Sequence, residues 1–95
     1  NKSIELINSS KEMNKNIEIK IICHINIANI YKLTKKLKDA CTEYKKAISI
    51  TLINDEYYQH QIISNINLGQ TLVDLGDYKK AIQEYNNVLP ICKII

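Results

Sequence analysis

The sequence predicts an all-α protein built from stacked helical hairpins, and two observations support this prediction. The chain repeats itself when it is shifted so that Ile21 aligns with Ile62, which indicates two copies of one structural unit. Apolar residues recur at helical spacing within each copy, whereas Gly occurs only twice and Pro only once in 95 residues. Long uninterrupted helices are therefore favoured over a turn-rich β fold.

This shift, which we call the repeat shift, keeps one register along the whole chain. Besides Ile21 with Ile62, the identical pairs include Asn26 with Asn67, Ala40 with Ala81, Glu43 with Glu84 and Tyr44 with Tyr85. We therefore divide the single domain into two repeats, 14–54 and 55–95. Residues 1–13 are interpreted as the second helix of a preceding repeat. Because position 1 is Asn rather than Met, we expect the sequence to be a piece of a longer protein.

Each repeat contains two helical patterns joined by a short turn. In the second repeat, Gly76 can adopt a left-handed conformation that ends the first helix, and Asp77 can cap the next one. The corresponding turn of the first repeat contains no Gly, so Thr34 or Lys35 has to take the less favourable conformation. Pro90 lies inside the last helical pattern, where we expect it to kink or end the helix.

These residues resemble the tetratricopeptide repeat family, in which an aromatic-x-x-Leu-Gly-x-x-Tyr run precedes Ala-x-x-x-Phe in the next helix. The second repeat reads Asn65-x-x-Leu68-Gly69-x-x-Leu72, followed by Ala81-x-x-x-Tyr85. The first reads His24-x-x-Ile27-Ala28-x-x-Tyr31, followed by Ala40-x-x-x-Tyr44. The chain departs from the pattern at the first motif position, which is His or Asn. Its repeat is also longer than the usual length of about 34 residues.

The resemblance implies a right-handed solenoid whose first helices line a concave surface that binds a peptide or protein segment. Asn26 and Asn67 are the main candidates, because a carboxamide can both donate to and accept from a ligand backbone. Asn29 and Gln70 extend this polar row. Apolar pockets for ligand side chains are expected at Ile22, Ile25, Ile63 and Ile66. In the alternative interpretation, these amides bond to neighbouring helices or face water.

Repeats of this length are similar to those of three groups. They are the Rap-type and PlcR-type quorum-sensing peptide receptors of Gram-positive bacteria, kinesin light chain, and Pins-like polarity scaffolds. The excess of Ile, Asn and Lys is typical of an AT-rich genome and favours the bacterial receptors. The resemblance then implies a cytoplasmic regulator of transcription that responds to a peptide.

The alternative function is a structural scaffold that self-associates and binds no peptide. In that case homo-oligomers would form through exposed end helices, because Ile91, Cys92, Ile94 and Ile95 end the chain without a polar capping helix.

Other functions find no support in the sequence. No catalytic residues, metal ligands or cofactor motifs occur at recognisable spacing, so we expect neither an enzyme nor a cofactor. All 13 basic residues are Lys, and without the Arg fork we expect no direct contact with nucleic acid. No apolar run is long enough to cross a membrane. The three Cys are odd in number and far apart, which indicates reduced thiols and a cytoplasmic location.

Overall fold

The computed structural model describes the backbone of residues 2–94 and the side chains of residues 12–92. It contains the helices α1 (Lys2–Leu33), α2 (Leu37–Thr51), α3 (Tyr58–Asp74) and α4 (Tyr78–Ile94). A single 3-10 turn at Asp55–Tyr57 precedes α3. The described residues include no strand, and the predicted all-α fold is confirmed.

The helices form two hairpins, α1–α2 and α3–α4, which stack through α2 and α3. Helices α1 and α3 also contact each other and run parallel. His60 Nε2 lies 3.2 Å from Glu18 Oε1 near one end of α3, and Lys32 Nζ donates to Gln70 Oε1 at 3.4 Å near the other. One face of the protein is therefore made by the first helix of each repeat.

Each hairpin combines a small residue on its first helix with a tyrosine on its second helix. Ala28 of α1 and Tyr44 of α2 are both fully buried in the core. In the second hairpin, a Cβ atom added to Gly69 would lie 2.6 Å from Cε1 of Tyr85. A larger residue fits there only if the ring shifts.

The turns within the two hairpins have the same geometry. Gly76 has a φ of 83°, and the N–H of Asp77 bonds to the carbonyl of Leu72 at 2.9 Å. Lys35 has a φ of 66°, and the next N–H along the chain bonds to the carbonyl of Tyr31 at 2.8 Å. Both turns are left-handed helix caps of the Schellman type, and in the first one a side chain takes the position that favours Gly.

The caps at the start of α2 and α4 differ. Asp77 Oδ1 accepts a bond from the N–H of Lys80 at 3.3 Å, as predicted for an N-cap. At the start of α2, Lys36 makes no such bond.

Helices α1 and α4 are both longer than the sequence pattern indicated. Helix α1 continues through positions 13 and 14, so residues 2–13 and the first helix of the following repeat belong to one helix. Helix α4 continues through Pro90 to Ile94, so this proline does not end the helix, which was one of its two expected effects. A proline removes only one helical donor when its neighbours continue the helix.

The left-handed turns generate a stability prediction. Replacing Gly76 with Ala should lower the free energy of unfolding by about 1 kcal/mol, because a Cβ atom is disfavoured at positive φ. Lys35→Gly at the equivalent position should not destabilise the protein, since the relief of strain offsets the added flexibility of the unfolded chain. Urea unfolding of both variants measures this. Equal destabilisation by the two substitutions would contradict it.

The contact at Gly69 generates a second prediction. Gly69→Ala should destabilise the protein by about 1 kcal/mol, because overpacking against Tyr85 outweighs the helix-forming advantage of Ala. In a Tyr85→Leu background the same substitution should become neutral or stabilising, since the ring is gone. A double-mutant cycle followed by thermal unfolding measures the coupling. If Gly69→Ala destabilised the protein equally in both backgrounds, contact with the Tyr85 ring would not be the cause.

Candidate functional site

The face made by α1 and α3 carries most of the residues predicted to bind a partner. We call it the α1/α3 face and define it by Ile22, Asn26, Asn29, Lys32, Ile63, Asn67, Gln70 and Asp74. These positions recur every three or four residues, so each set forms one row along its helix. The two rows run side by side because α1 and α3 are parallel.

Asn26 and Asn67 occupy equivalent positions in these rows. Asn26 is exposed and Asn67 is half-buried. Among the side chains that the structure describes, none hydrogen-bonds to either carboxamide. Each amide therefore retains one acceptor and two donor hydrogens for another molecule.

Asn29 and Gln70 are already engaged within the protein. The hydroxyl of Tyr44 donates to Asn29 Oδ1, and burial raises the pKa of that hydroxyl, which keeps it protonated. Gln70 Oε1 accepts from Lys32. Both residues lie on the predicted face, but each side-chain carbonyl oxygen already accepts a hydrogen bond from within the protein.

The four isoleucines that were predicted to form apolar pockets differ in exposure. Ile22 and Ile63 expose 38% and 47% of their surface, and Ile66 is half-buried. Ile25 exposes only 8% and belongs to the core cluster, so it cannot form the wall of a surface pocket. The expectation for Ile25 was wrong because its side chain faces the core, where it packs with the buried residues of the neighbouring helices.

A depression of about 690 Å³ lies at the end of the face where α1 turns into α2. Its lining includes Lys32 and Lys35 on one side and Asp74 on the other, together with Leu33 and Leu37. At this end, the α1/α3 face therefore presents positively and negatively charged side chains beside apolar ones.

A polar contact that was not predicted from the sequence occurs at the same place in both hairpins. His24 Nδ1 lies 2.7 Å from Glu43 Oε2, and Asn65 Nδ2 donates to Glu84 Oε2 at 2.8 Å. Both contacts join the first motif position of one helix to a glutamate on the next. The repeat shift that relates the two glutamates was visible in the sequence, but their partners differ in type.

The two contacts differ in how completely they satisfy their polar groups. The hydrogen bond with His24 holds the pKa of the Glu43 carboxyl below its ordinary value, assisted by Lys46 and opposed by desolvation. Asn65 Oδ1 and the neighbouring Ser64 Oγ are buried without a hydrogen-bond partner among the described residues. The polar groups of this contact are therefore more completely hydrogen-bonded in the first hairpin than in the second.

The described residues contain no cluster of three His, Cys, Asp or Glu side chains that could hold a metal ion. Both His side chains instead contact glutamates. Burial raises the pKa of the Cys41 thiol, so this cysteine is a poor nucleophile. In the part of the chain searched, no helix combines the length and apolar character of a membrane span.

Comparison with known proteins identifies the family. The family model described as tetratricopeptide repeat matches residues 21–94, which include both hairpin turns and both motif copies. This chain belongs to the tetratricopeptide repeat family. No curated protein and no solved structure matches the chain. Tetratricopeptide repeats form interaction surfaces for other proteins, and this tetratricopeptide protein is accordingly a protein–protein interaction module.

The contact between His24 and Glu43 predicts a pH-dependent contribution to stability. Because the pKa of Glu43 is lowered on folding, its contribution is present above the ordinary pKa of 4.5 and is lost as the pH falls through the lower folded-state value. Glu43→Gln should therefore cost about 1 kcal/mol near pH 6 and less near pH 3.

Urea unfolding at both pH values measures this difference. Glu12→Gln, which removes an exposed carboxylate of α1, is the matched control and should show little cost at either pH. A cost of Glu43→Gln that does not change with pH would exclude the charged hydrogen bond as its cause.

Proposed function

We propose that this tetratricopeptide protein binds an extended segment of another polypeptide on the α1/α3 face. The single observation that carries the proposal is the pair of uncommitted carboxamides, Asn26 and Asn67, at the same register on parallel helices. Exposed isoleucines flank both of them.

The parallel arrangement of the two helices suits an extended ligand that crosses both. An extended chain advances by about 3.3 Å per residue, so two amides on neighbouring helices can reach backbone groups a few residues apart. Asn26 and Asn67 would then bond to the ligand backbone, whatever its side chains are.

The surroundings of the amides favour a ligand with both apolar and polar groups. Ile22 and Ile63 offer apolar contacts near the start of the face. Lys32 and Asp74, at the opposite end, offer contacts to charged side chains or to a chain terminus. Asn29 and Gln70 contribute mainly by orienting their neighbours, because their carbonyl oxygens are already bonded.

A narrower proposal is that the protein is the peptide-sensing part of a bacterial, peptide-responsive regulator of transcription in the cytoplasm. It is supported by the composition and by a repeat longer than is usual for the family. An attached effector module in the intact protein would be required. The alternative, self-association without a peptide ligand, is supported by exposed apolar residues on α1 and α4, among them Ile30 and Ile82.

Substitution of both amides tests peptide binding. A peptide array identifies ligands for the unmodified chain, and their affinities are then measured with Asn26→Ala/Asn67→Ala. We expect dissociation constants at least about tenfold higher, because two bonds to the ligand backbone are lost and each contributes about 1 kcal/mol.

The matched control is Asn86→Ala/Asn87→Ala, which removes two exposed asparagines from α4, outside the α1/α3 face. It should leave the affinity unchanged. Equal binding by both double variants would place the site on other helices. Failure of every peptide to bind would favour self-association over peptide binding.

A further inference from the structure

The two hairpins surround their equivalent glutamates differently. In the first hairpin, His24 Nδ1 lies 2.7 Å from one carboxylate oxygen of Glu43, and Lys46 Nζ lies 3.2 Å from the other. The repeat shift relates His24, Glu43 and Lys46 to Asn65, Glu84 and Asn87. The glutamate is therefore kept in the second hairpin, whereas both of its basic neighbours are replaced by neutral amides.

Glu84 consequently lacks a positively charged partner. Its half-buried carboxylate accepts a hydrogen bond from Asn65 Nδ2 at 2.8 Å, but no Lys or His among the described residues forms an ion pair with it. Asn65 exposes only 2% of its surface, and its Oδ1 accepts no hydrogen bond from the described residues. Burial removes hydrating water from both groups, so an unpaired carboxylate and an unpaired amide oxygen are costly here.

Asn65 and Glu84 both line a depression of about 510 Å³ that lies over α3, between α2 and α4. We call this depression the α2/α4 groove. Ile48 of α2 and Leu68 of α3 supply apolar surface, and Asn87 lines the groove from α4. The groove therefore places a carboxylate and a buried amide oxygen beside apolar side chains.

The α2/α4 groove opens on the side of α3 opposite the α1/α3 face. Asn65 and Leu68 precede Asn67 and Gln70 of that face by two positions each, which is more than half a turn of an α-helix. The groove forms where the two hairpins stack, and its lining belongs to α2, α3 and α4. A ligand of the groove therefore does not occupy the surface proposed to bind an extended segment.

We infer that the α2/α4 groove binds a lysine or arginine side chain of another polypeptide. Such a side chain has an aliphatic stem that packs on the apolar surface, and N–H donors for the oxygens of Glu84 and Asn65. It supplies from outside the positive charge that Lys46 provides for Glu43 within the first hairpin. Lys45 also lines the groove, but it is exposed and forms no ion pair with Glu84.

Two short peptides with blocked ends, which differ at one residue, test this inference. Both have leucine at each end, and the central residue is arginine in one and citrulline, which has the same shape without the charge, in the other. NMR spectra of the isotope-labelled protein follow the side-chain amide signals of Asn65 and Asn87 during titration. The arginine peptide should bind at least about tenfold more tightly, because citrulline cannot form a charged hydrogen bond with Glu84.

Substitutions in the protein identify the groove as the binding site. Glu84→Gln keeps an acceptor for Asn65 but removes the charge, so it should abolish the preference for arginine over citrulline. Asn87→Lys copies Lys46 of the first hairpin. It should weaken binding of the arginine peptide at least about tenfold, because the new lysine pairs with Glu84 within the same helix.

Glu43→Gln is the matched control, because it removes the repeat-equivalent carboxylate, which does not line the groove. It should keep the preference for arginine. Asn26→Ala/Asn67→Ala should also keep it, so failure of the α1/α3 face to bind a segment and failure of the groove to bind a basic side chain are separate results. Circular dichroism should show all variants folded.

Three results would overturn the inference. One is equal affinity of the unmodified chain for the arginine and citrulline peptides. A second is a preference for arginine that persists in Glu84→Gln, which would place the contact on another group. A third is the absence of any change in the Asn65 and Asn87 signals at millimolar concentrations of the arginine peptide.

Discussion

The architecture depends on the close contact between a tyrosine ring and a small residue on the preceding helix. In the second hairpin this contact is so close that Gly69 has no space for a methyl group beside Tyr85. In the first hairpin the fully buried Tyr44 and Ala28 occupy the equivalent positions. A large ring beside a small residue sets how closely the two helices of a hairpin can approach each other.

The polar contacts add specificity to this apolar packing. His24 and Asn65 stand at the position where the family pattern has an aromatic residue, and each contacts a glutamate on the following helix. A polar group buried between helices is costly unless it is bonded, so these contacts favour one alignment of each hairpin over its alternatives. The buried Asn65 Oδ1 lacks a partner within the described residues, and this leaves the second hairpin with the weaker contact.

Two kinds of surface remain open once the hairpins have stacked. The α1/α3 face is mainly polar, and on it the side-chain amides of Asn26 and Asn67 form no hydrogen bond with the described side chains. Exposed apolar residues also remain on α1 and α4. Ile30 and Ile82, for example, are related by the repeat shift to the buried Thr71 and Cys41. Repetition presents each position of the hairpin twice, and stacking covers only one of the two copies.

The sequence by itself determined the helical fold, the hairpin turns and the repeat register. Helical periodicity, a Gly at a left-handed cap and the repeat shift are signals of the chain alone, and they do not depend on what packs against them. Even the strained turn at Lys35 was predictable, since the equivalent position in the other repeat is Gly76. The family followed from the same signals.

Only the tertiary structure decided which apolar side chains are covered. Ile25 lies in the core although it was predicted to contact a ligand, and Ile82 is exposed although its spacing is that of a buried helix face. Periodicity shows which residues share a side of a helix, but burial depends on whether another helix lies on that side. The partners of Asn29, His24 and Asn65 were likewise decided by the packing of neighbouring helices, because hydrogen bonds between helices depend on distances that no local pattern encodes.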